Sequence, residues 1–321
     1  MKKPISSSNN IVDKSILKLS GLNKPKNLMR SLLLLALSAL IFFILFRRIK
    51  ISQVITLIES ISINIWVIAT ILTLSFPIFS AIRWHCILRV LGFKISISRC
   101  LLIIIGIWPI SSISPSKSGD FLKAFSMRHE IKPMIVMGSI LTERVFDLLL
   151  LAILALIGGL FFQDFRILVL ACIVITGIIM TVILINFGIN LPFGQKLNTK
   201  LKDLFFSIRT IIAKPGIFII ILLLTAVNWF ASIIQTKLLF WGIGVNVPLG
   251  FTAGALPIAI FVGLLPITFG GMGTRDSAMV FLFADFATST QILAVSLLYS
   301  FFGYFLLSIL GIPFMKKSLN L

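Results

Sequence analysis

The chain has 321 residues, 58% hydrophobic and only 12% charged, with 29 Lys+Arg against 10 Asp+Glu and a formal net charge of +19. A soluble domain is nearer ~45–50% apolar and ~25% charged, and a disordered chain lacks the Phe, Ile and Leu that dominate here. The charges stand between long uncharged runs and not on one basic domain. This excludes nucleic-acid binding and leaves an all-α polytopic membrane protein with its positive charge in the loops.

In chain order, residues 1–30 form a basic segment with seven Lys/Arg. Ser31–Phe46, extendable to Leu28, is the first apolar run. It meets Arg47-Arg48 with no small-residue cleavage site, so it reads as a retained helix and not a signal peptide. Further runs that fit the ~20 residues needed to cross a bilayer are Ser60–Ile82, Leu148–Phe162 with its upstream extension, Ile167–Phe187, Ile217–Gln235 and Phe286–Met315. Two stretches differ. Cys100–Ser116 is uncharged but ends in a Pro/Ser-rich turn. Leu238–Thr274 is uncharged over 37 residues, but Pro248, Pro257, Pro266 and Gly270-Gly271-Met272-Gly273 interrupt it.

Lys/Arg also cluster in 83–99, 117–132, 196–214 and 316–317, with four, four, five and two. The positive-inside rule places these regions and residues 1–30 in the cytoplasm. Cys100–Ser116 then starts and ends on the same side and must dip in and return. The same count makes 249–290 a second re-entrant hairpin. The expectation is six full spans plus two re-entrant helical hairpins, with both termini cytoplasmic in the cell membrane. The membrane domain covers 31–315, with halves 60–187 and 217–315, a basic link 188–216 and a tail 316–321. The halves have opposite orientation, an inverted-repeat architecture of the kind transporters use. Eight complete spans is the alternative.

The polar residues stand out against this background. Gly270-Gly271-Met272-Gly273-Thr274-Arg275-Asp276 combines a tight glycine turn, whose amides can form an anion nest, with a guanidinium at a helix start. The alternative is a hairpin with an interfacial Arg–Asp cap. The first hairpin offers Ser118, Gly119, Asp120 and Lys123; there Asp120 is expected to cap the next helix and Lys123 to reach a headgroup. Glu143 and Asp147 share a helix face, and Arg144 is three residues from Asp147. This turn is either a charge-coupling cluster or a structural ion pair. Trp66, Trp84, Trp108, Trp229 and Trp241 are expected in interfacial belts. Cys86, Cys100 and Cys172 have no disulfide or zinc spacing, and His85 and His129 have no third ligand nearby, so no metal or cofactor is expected.

Arg83-Trp84 with Leu88 and Gly92, Pro115 with Gly119-Asp120 and Lys123, Glu143-Arg144-Val145 with Asp147, and Leu265-Pro266 through Asp276 together resemble the lysylphosphatidylglycerol synthase transmembrane-domain family, over roughly Ile82 to Pro313. Four positions depart from the family pattern. Lys123 stands where an arginine is usual, Thr268-Phe269 replaces a small-residue-and-proline run, Asp276 replaces a glutamate, and Tyr299-Ser300 stands where an arginine often occurs. The resemblance implies movement of an anionic, aminoacylated or polyprenyl-linked phospholipid between leaflets. Arg275, Gly270, Gly271, Gly273, Thr274, Lys123 and Ser118 would then lie at the headgroup, and Glu143, Arg144, Asp147, Asp276 and Asp120 would be the charge-coupling or structural set. Bifunctional relatives carry a soluble transferase domain after the membrane domain. Here four residues follow Lys317, so the expectation is a non-enzyme. The alternatives are an anchor for a separate aminoacyl- or glycosyltransferase, or a lipid-phosphate enzyme.

Overall fold

The computed structural model describes residues 51–114, 117–186, 195–265, 268 and 270–319, with side chains of 181–203 left aside. The expected first span Ser31–Phe46 and the basic segment 1–30 lie outside the described residues, as do Pro115, Pro266 and Phe269. Every regular element described is helical. The helices are α1 (Ile51–Glu59), α2 (Ile63–Val90), α3 (Ile97–Ile113), α4 (Leu122–Ser126), α5 (Pro133–Phe161), α6 (Phe165–Asn186), α7 (Gln195–Ile212), α8 (Pro215–Gly242), α9 (Leu249–Leu264) and α10 (Thr274–Leu282). A last rod runs from Ser289 to Ser318 through α11 (Ser289–Ser300), a π-helical stretch (Phe301–Leu306), α12 (Leu307–Gly311) and α13 (Met315–Ser318).

Among the described residues, α2, α5, α8 and the last rod are long and apolar enough to cross a membrane. Their outward faces are apolar. Ile63, Ile71, Leu223, Ile157 and Ile309 are all exposed, the arrangement expected where hydrocarbon surrounds the bundle. The span expected at Ser60–Ile82 continues to Val90 and ends at Gly92, whose φ of +94° turns the chain. Arg83 is therefore inside a helix, not in the basic loop the charge count assigned to 83–99.

Two helix–turn–helix hairpins interrupt the long helices. In the first, α3 is followed by a 3₁₀ turn (Ser118–Phe121) and α4; in the second, α9 is followed by the glycine turn and α10. Their tips touch. A Cβ added at Gly270 would sit 2.6 Å from the Ser112 carbonyl oxygen. Each hairpin also packs through small residues, as membrane helices do where backbones must approach. A Cβ at Gly158 of α5 would lie 2.5 Å from the Gly254 Cα of α9, and Gly311 of α12 meets the Ile105 carbonyl of α3.

The apolar interior falls into two main parts. One gathers Ala69, Leu151, Ala155, Phe240, Phe251, Ala255 and Phe283. The other gathers Ala81, Trp84, Leu88, Cys100, Met127, Val136 and Ile140. On α5, Val136 and Ile140 serve one core and Leu151 and Ala155 the other. The acidic turn Glu143–Asp147 stands between them.

Candidate functional site

Asp147 is the middle residue of α5, with 14 residues on either side, so about 21 Å of helix separates it from each end. Ions at such depth cost ~2.5 kcal/mol or more unless paired or solvated. The pairing is extensive. The one-turn spacing of Glu143 and Asp147 lets one guanidinium from α2 reach both. Arg83 Nη1 donates to Asp147 Oδ1 at 2.6 Å and Nη2 to Oδ2 at 3.4 Å, while Nε donates to Glu143 Oε1 at 3.4 Å. Arg83 Nη1 also donates to Thr225 Oγ1 at 3.1 Å. The Lys123 ammonium, brought in by α4, donates to Glu143 Oε2 at 2.8 Å and lies 4.9 Å from the centre of the Trp84 ring. Arg144 pairs with Asp120 and reaches Asp147 Oδ2 at 3.6 Å. From α8, Trp229 Nε1 donates to Asp147 Oδ1 at 2.9 Å.

A second ionic group closes the other hairpin. Asp276, at the third position of α10, accepts from the Gly273 amide at 2.8 Å and from Arg275 Nη2 at 2.9 Å. Ser296 of α11 donates to the same carboxylate at 2.5 Å, and Arg275 Nη2 also donates to Ser300 at 2.5 Å. Tyr299 and Tyr304 flank the Arg275 guanidinium, with ring centres 4.8 and 5.3 Å from Cζ. Arg275 is 2% exposed, and its Nε and Nη1 have no hydrogen-bond partner among the described residues.

Two adjoining cavities run between these groups. The larger, about 120 Å³, is lined by Arg83, Lys117, Asp120, Lys123, Glu143, Arg144 and Asp147 together with Trp108, Trp229 and Tyr304. The smaller, about 80 Å³, is lined by Lys117, Arg144, Asp147, Gly270, Arg275 and both tyrosines. Lys117 belongs to both. It is a non-glycine residue held at φ +54°, and its ammonium lies 5.1 Å from the Tyr304 ring centre and 5.9 Å from that of Trp108. A left-handed backbone at a bulky residue is uncommon and persists where the surroundings hold it.

A family model described as the lysylphosphatidylglycerol synthase TM region matches residues 31–311 of this chain. The chain belongs to that family. It is also 24% identical over 313 residues to the UPF0104 membrane protein MJ1595 of Methanocaldococcus jannaschii, with 88% of this chain and 93% of the relative covered.

In this lysylphosphatidylglycerol synthase TM-region protein, most residues singled out by sequence converge on the cavities. Glu143, Arg144, Asp147, Asp120, Lys123, Arg275 and Gly270 all line one or both. Ser118 does not; it is exposed in the 3₁₀ turn. Thr274 is engaged locally, donating to the Gly271 carbonyl and bonding Thr268 Oγ1 at 2.9 Å. Gly271 packs against the Gly263 carbonyl of α9.

Three expectations need correction, concerning Asp120, the glycine turn and the tryptophans. Asp120 does not cap α4: its carboxylate accepts from Ser111 Oγ at 2.5 Å and from Arg144, because the 3₁₀ turn folds it back onto α3 and α5. The Gly273 amide serves Asp276, so the anion at that part of the glycine turn is the protein's own carboxylate. Arg144 neutralises the acidic turn only in part, at 3.6 Å from Asp147, and Arg83 and Lys123 complete the pairing from other elements. The tryptophans do not all form belts: Trp84 is fully buried and donates to Ser139 at 3.0 Å, and Trp229 serves Asp147.

Arg83, Lys117, Trp229 and Tyr304 were not among the expected site residues. Arg83 had a sequence signal, because the apolar helical pattern continues through Trp84, Ile87 and Leu88. The other three had none that separates them from interfacial residues.

Proposed function

We propose that this protein moves a phospholipid or polyprenyl-linked lipid between the leaflets of the cell membrane, without a cofactor and without making or breaking the lipid. In this reading α3–α4 and α9–α10 are re-entrant hairpins of two inverted halves, 60–187 and 217–315. The headgroup enters the polar cavities where their tips meet, and the lipid tails stay against the apolar outer faces. Lys117, Lys123 and Arg275 face the headgroup. Glu143, Asp147, Asp120 and Asp276 hold the cations at fixed positions, so that charge can pass the hydrocarbon depth without exposure to it.

The observation that carries this reading is the polar cavity itself. Its two parts are lined by five cations and three carboxylates, and it adjoins the midpoint of a 29-residue apolar helix. A purely structural ion pair has no need of an adjoining cavity.

The test is reconstitution into liposomes with fluorescent phospholipids of different headgroups, scoring the fraction that becomes accessible to a membrane-impermeant quencher. Protein-dependent transfer that Asp147→Asn removes is expected. Equal transfer in protein-free liposomes and in those carrying the protein would overturn the reading.

A further inference from the structure

All eight carboxylate oxygens of the two cavities and the glycine turn already accept from a donor. Glu143 takes Arg83 and Lys123, and Asp147 takes Arg83, Arg144 and Trp229. Asp120 takes Ser111 and Arg144, and Asp276 takes Arg275, Ser296 and the Gly273 amide. The donor side is not matched in the same way. Nη2 of Arg275 supplies its bonds to Asp276 and Ser300, which leaves three of the five guanidinium N–H donors, those on Nε and Nη1, with no partner among the described residues. Lys117 forms no ion pair among the described residues, and its ammonium faces the Tyr304 and Trp108 rings. Both side chains line the smaller cavity.

We infer that the smaller cavity is an anion subsite for a phosphodiester headgroup, held by Lys117 and Arg275, and that it selects against headgroups bearing an ammonium group. This rests on the lipid-translocase reading and narrows it. A phosphodiester presents non-bridging oxygens that accept from an ammonium and a guanidinium together. An amine-bearing headgroup such as that of lysylphosphatidylglycerol brings further donors to a place where every carboxylate oxygen is engaged. Its ammonium would have to share a carboxylate already paired to Arg83, Lys123 or Arg144, as a sixth cation in cavities lined by five cations and only three carboxylates, or stand beside Lys117. Like charge and an unpaired donor are the elements by which a site rejects a competitor. Tyr299 and Tyr304 complete the enclosure; their faces hold the two cations in place through the ring quadrupole.

The test is equilibrium binding to the purified full chain in detergent, read by quenching of tryptophan fluorescence, since Trp108 and Trp229 line the larger cavity. The probes are phosphatidylglycerol, lysylphosphatidylglycerol and inorganic phosphate. Phosphatidylglycerol is expected to bind at least about tenfold more tightly than lysylphosphatidylglycerol. Lys117→Gln should weaken phosphatidylglycerol binding by about tenfold and flatten its salt dependence, and Arg275→Lys, which keeps the charge, should weaken it less.

Equal or tighter binding of the lysyl lipid overturns the proposal, as does unchanged phosphatidylglycerol affinity in folded Lys117→Gln. Inorganic phosphate that binds as tightly as the lipid overturns the lipid assignment and marks a free-anion site. Because binding is read without transport, a failed liposome assay with selective binding intact removes the translocase reading alone. Transfer of lysylphosphatidylglycerol at the rate of phosphatidylglycerol removes the selectivity alone.

Discussion

Asp147→Asn isolates the charge at the centre of α5 with almost no change in shape. In the native protein this carboxylate takes two bonds from Arg83, one from Trp229 and the approach of Arg144. Breaking a buried ion pair by neutralising one partner costs ~3–5 kcal/mol, because the other charge is stranded. Arg83 keeps Glu143 at 3.4 Å and Thr225 at 3.1 Å, so the expected loss is at the lower end, about 3 kcal/mol, roughly a hundredfold in the folded-to-unfolded ratio. Removing both partners has the opposite logic. Arg83→Met with Asp147→Leu replaces the pair by apolar groups, and such replacements are often neutral or stabilising. The double variant is therefore expected within about 1–2 kcal/mol of the native protein, the remaining loss being the bonds that the pair made to Trp229, Thr225, Glu143 and Arg144. Its lipid transfer should be absent. Equilibrium unfolding in mixed micelles measures the stabilities, and liposome transfer measures the activity. A double variant as unstable as the single one would refute the stranded-charge argument. A stable double variant that transfers lipid at the native rate would show that the pair serves structure only.

Three further outcomes follow from the packing and the loops. Gly158→Ala brings a Cβ to 2.5 Å from the Gly254 backbone, so it should cost ~1–3 kcal/mol by overpacking and lower the unfolding temperature, whereas Gly216→Ala, with open space at its Cβ, should leave that temperature unchanged. In the short α5–α6 link, hydrogen bonds from Arg166 hold the Asp164 carboxyl below its ordinary value of 3.8. A depressed folded value means that this contribution is full above the ordinary value and is lost as pH falls below it through the lower value of the folded protein. Unfolding temperatures of native and Asp164→Asn protein should thus differ at pH 6 and converge in strong acid, and a gap that widens in acid would contradict the assignment. Cysteines at Gln163 and Lys317, in a background without the three native ones, test the topology: an impermeant reagent added outside should label the first and spare the second.

The helices and their apolar runs were legible because membrane spans announce themselves by length. So was the unusual position of Glu143, Asp147 and Arg275, since charges in apolar runs are conspicuous, and all three line the cavities. Local spacing could not supply the partners. Arg83 is 64 residues from Asp147 and Lys123 is 20 from Glu143, and only the packing of α2 and α4 against α5 joins them. The charge count also misled at Arg83. The positive-inside rule treats each arginine as loop charge, and a cation paired inside the bundle carries no topological information. The capping motif at Asp120 failed for a similar reason, because a cap is a local option and the Arg144 guanidinium is a stronger partner.

The π-helical stretch in the last rod sets a constraint of number, not of chemistry. Tyr299 and Tyr304 both flank Arg275, yet they are five residues apart. In an α-helix five steps leave two side chains about 140° apart; a turn closed by i→i+5 bonds brings them toward one azimuth. The outward-facing Phe301 and Phe305 of that stretch can change identity at little cost. Loss of a single residue there is another matter. It would rotate the upstream and downstream parts of the rod by about 100° relative to each other. Tyr304 would leave the guanidinium, Gly311 would leave its seat on the Ile105 carbonyl, and Ser318 would leave Gly106. The stretch acts as a phase-setting insert between the ionic site and the C-terminal anchor, tolerant of substitution and intolerant of insertions and deletions.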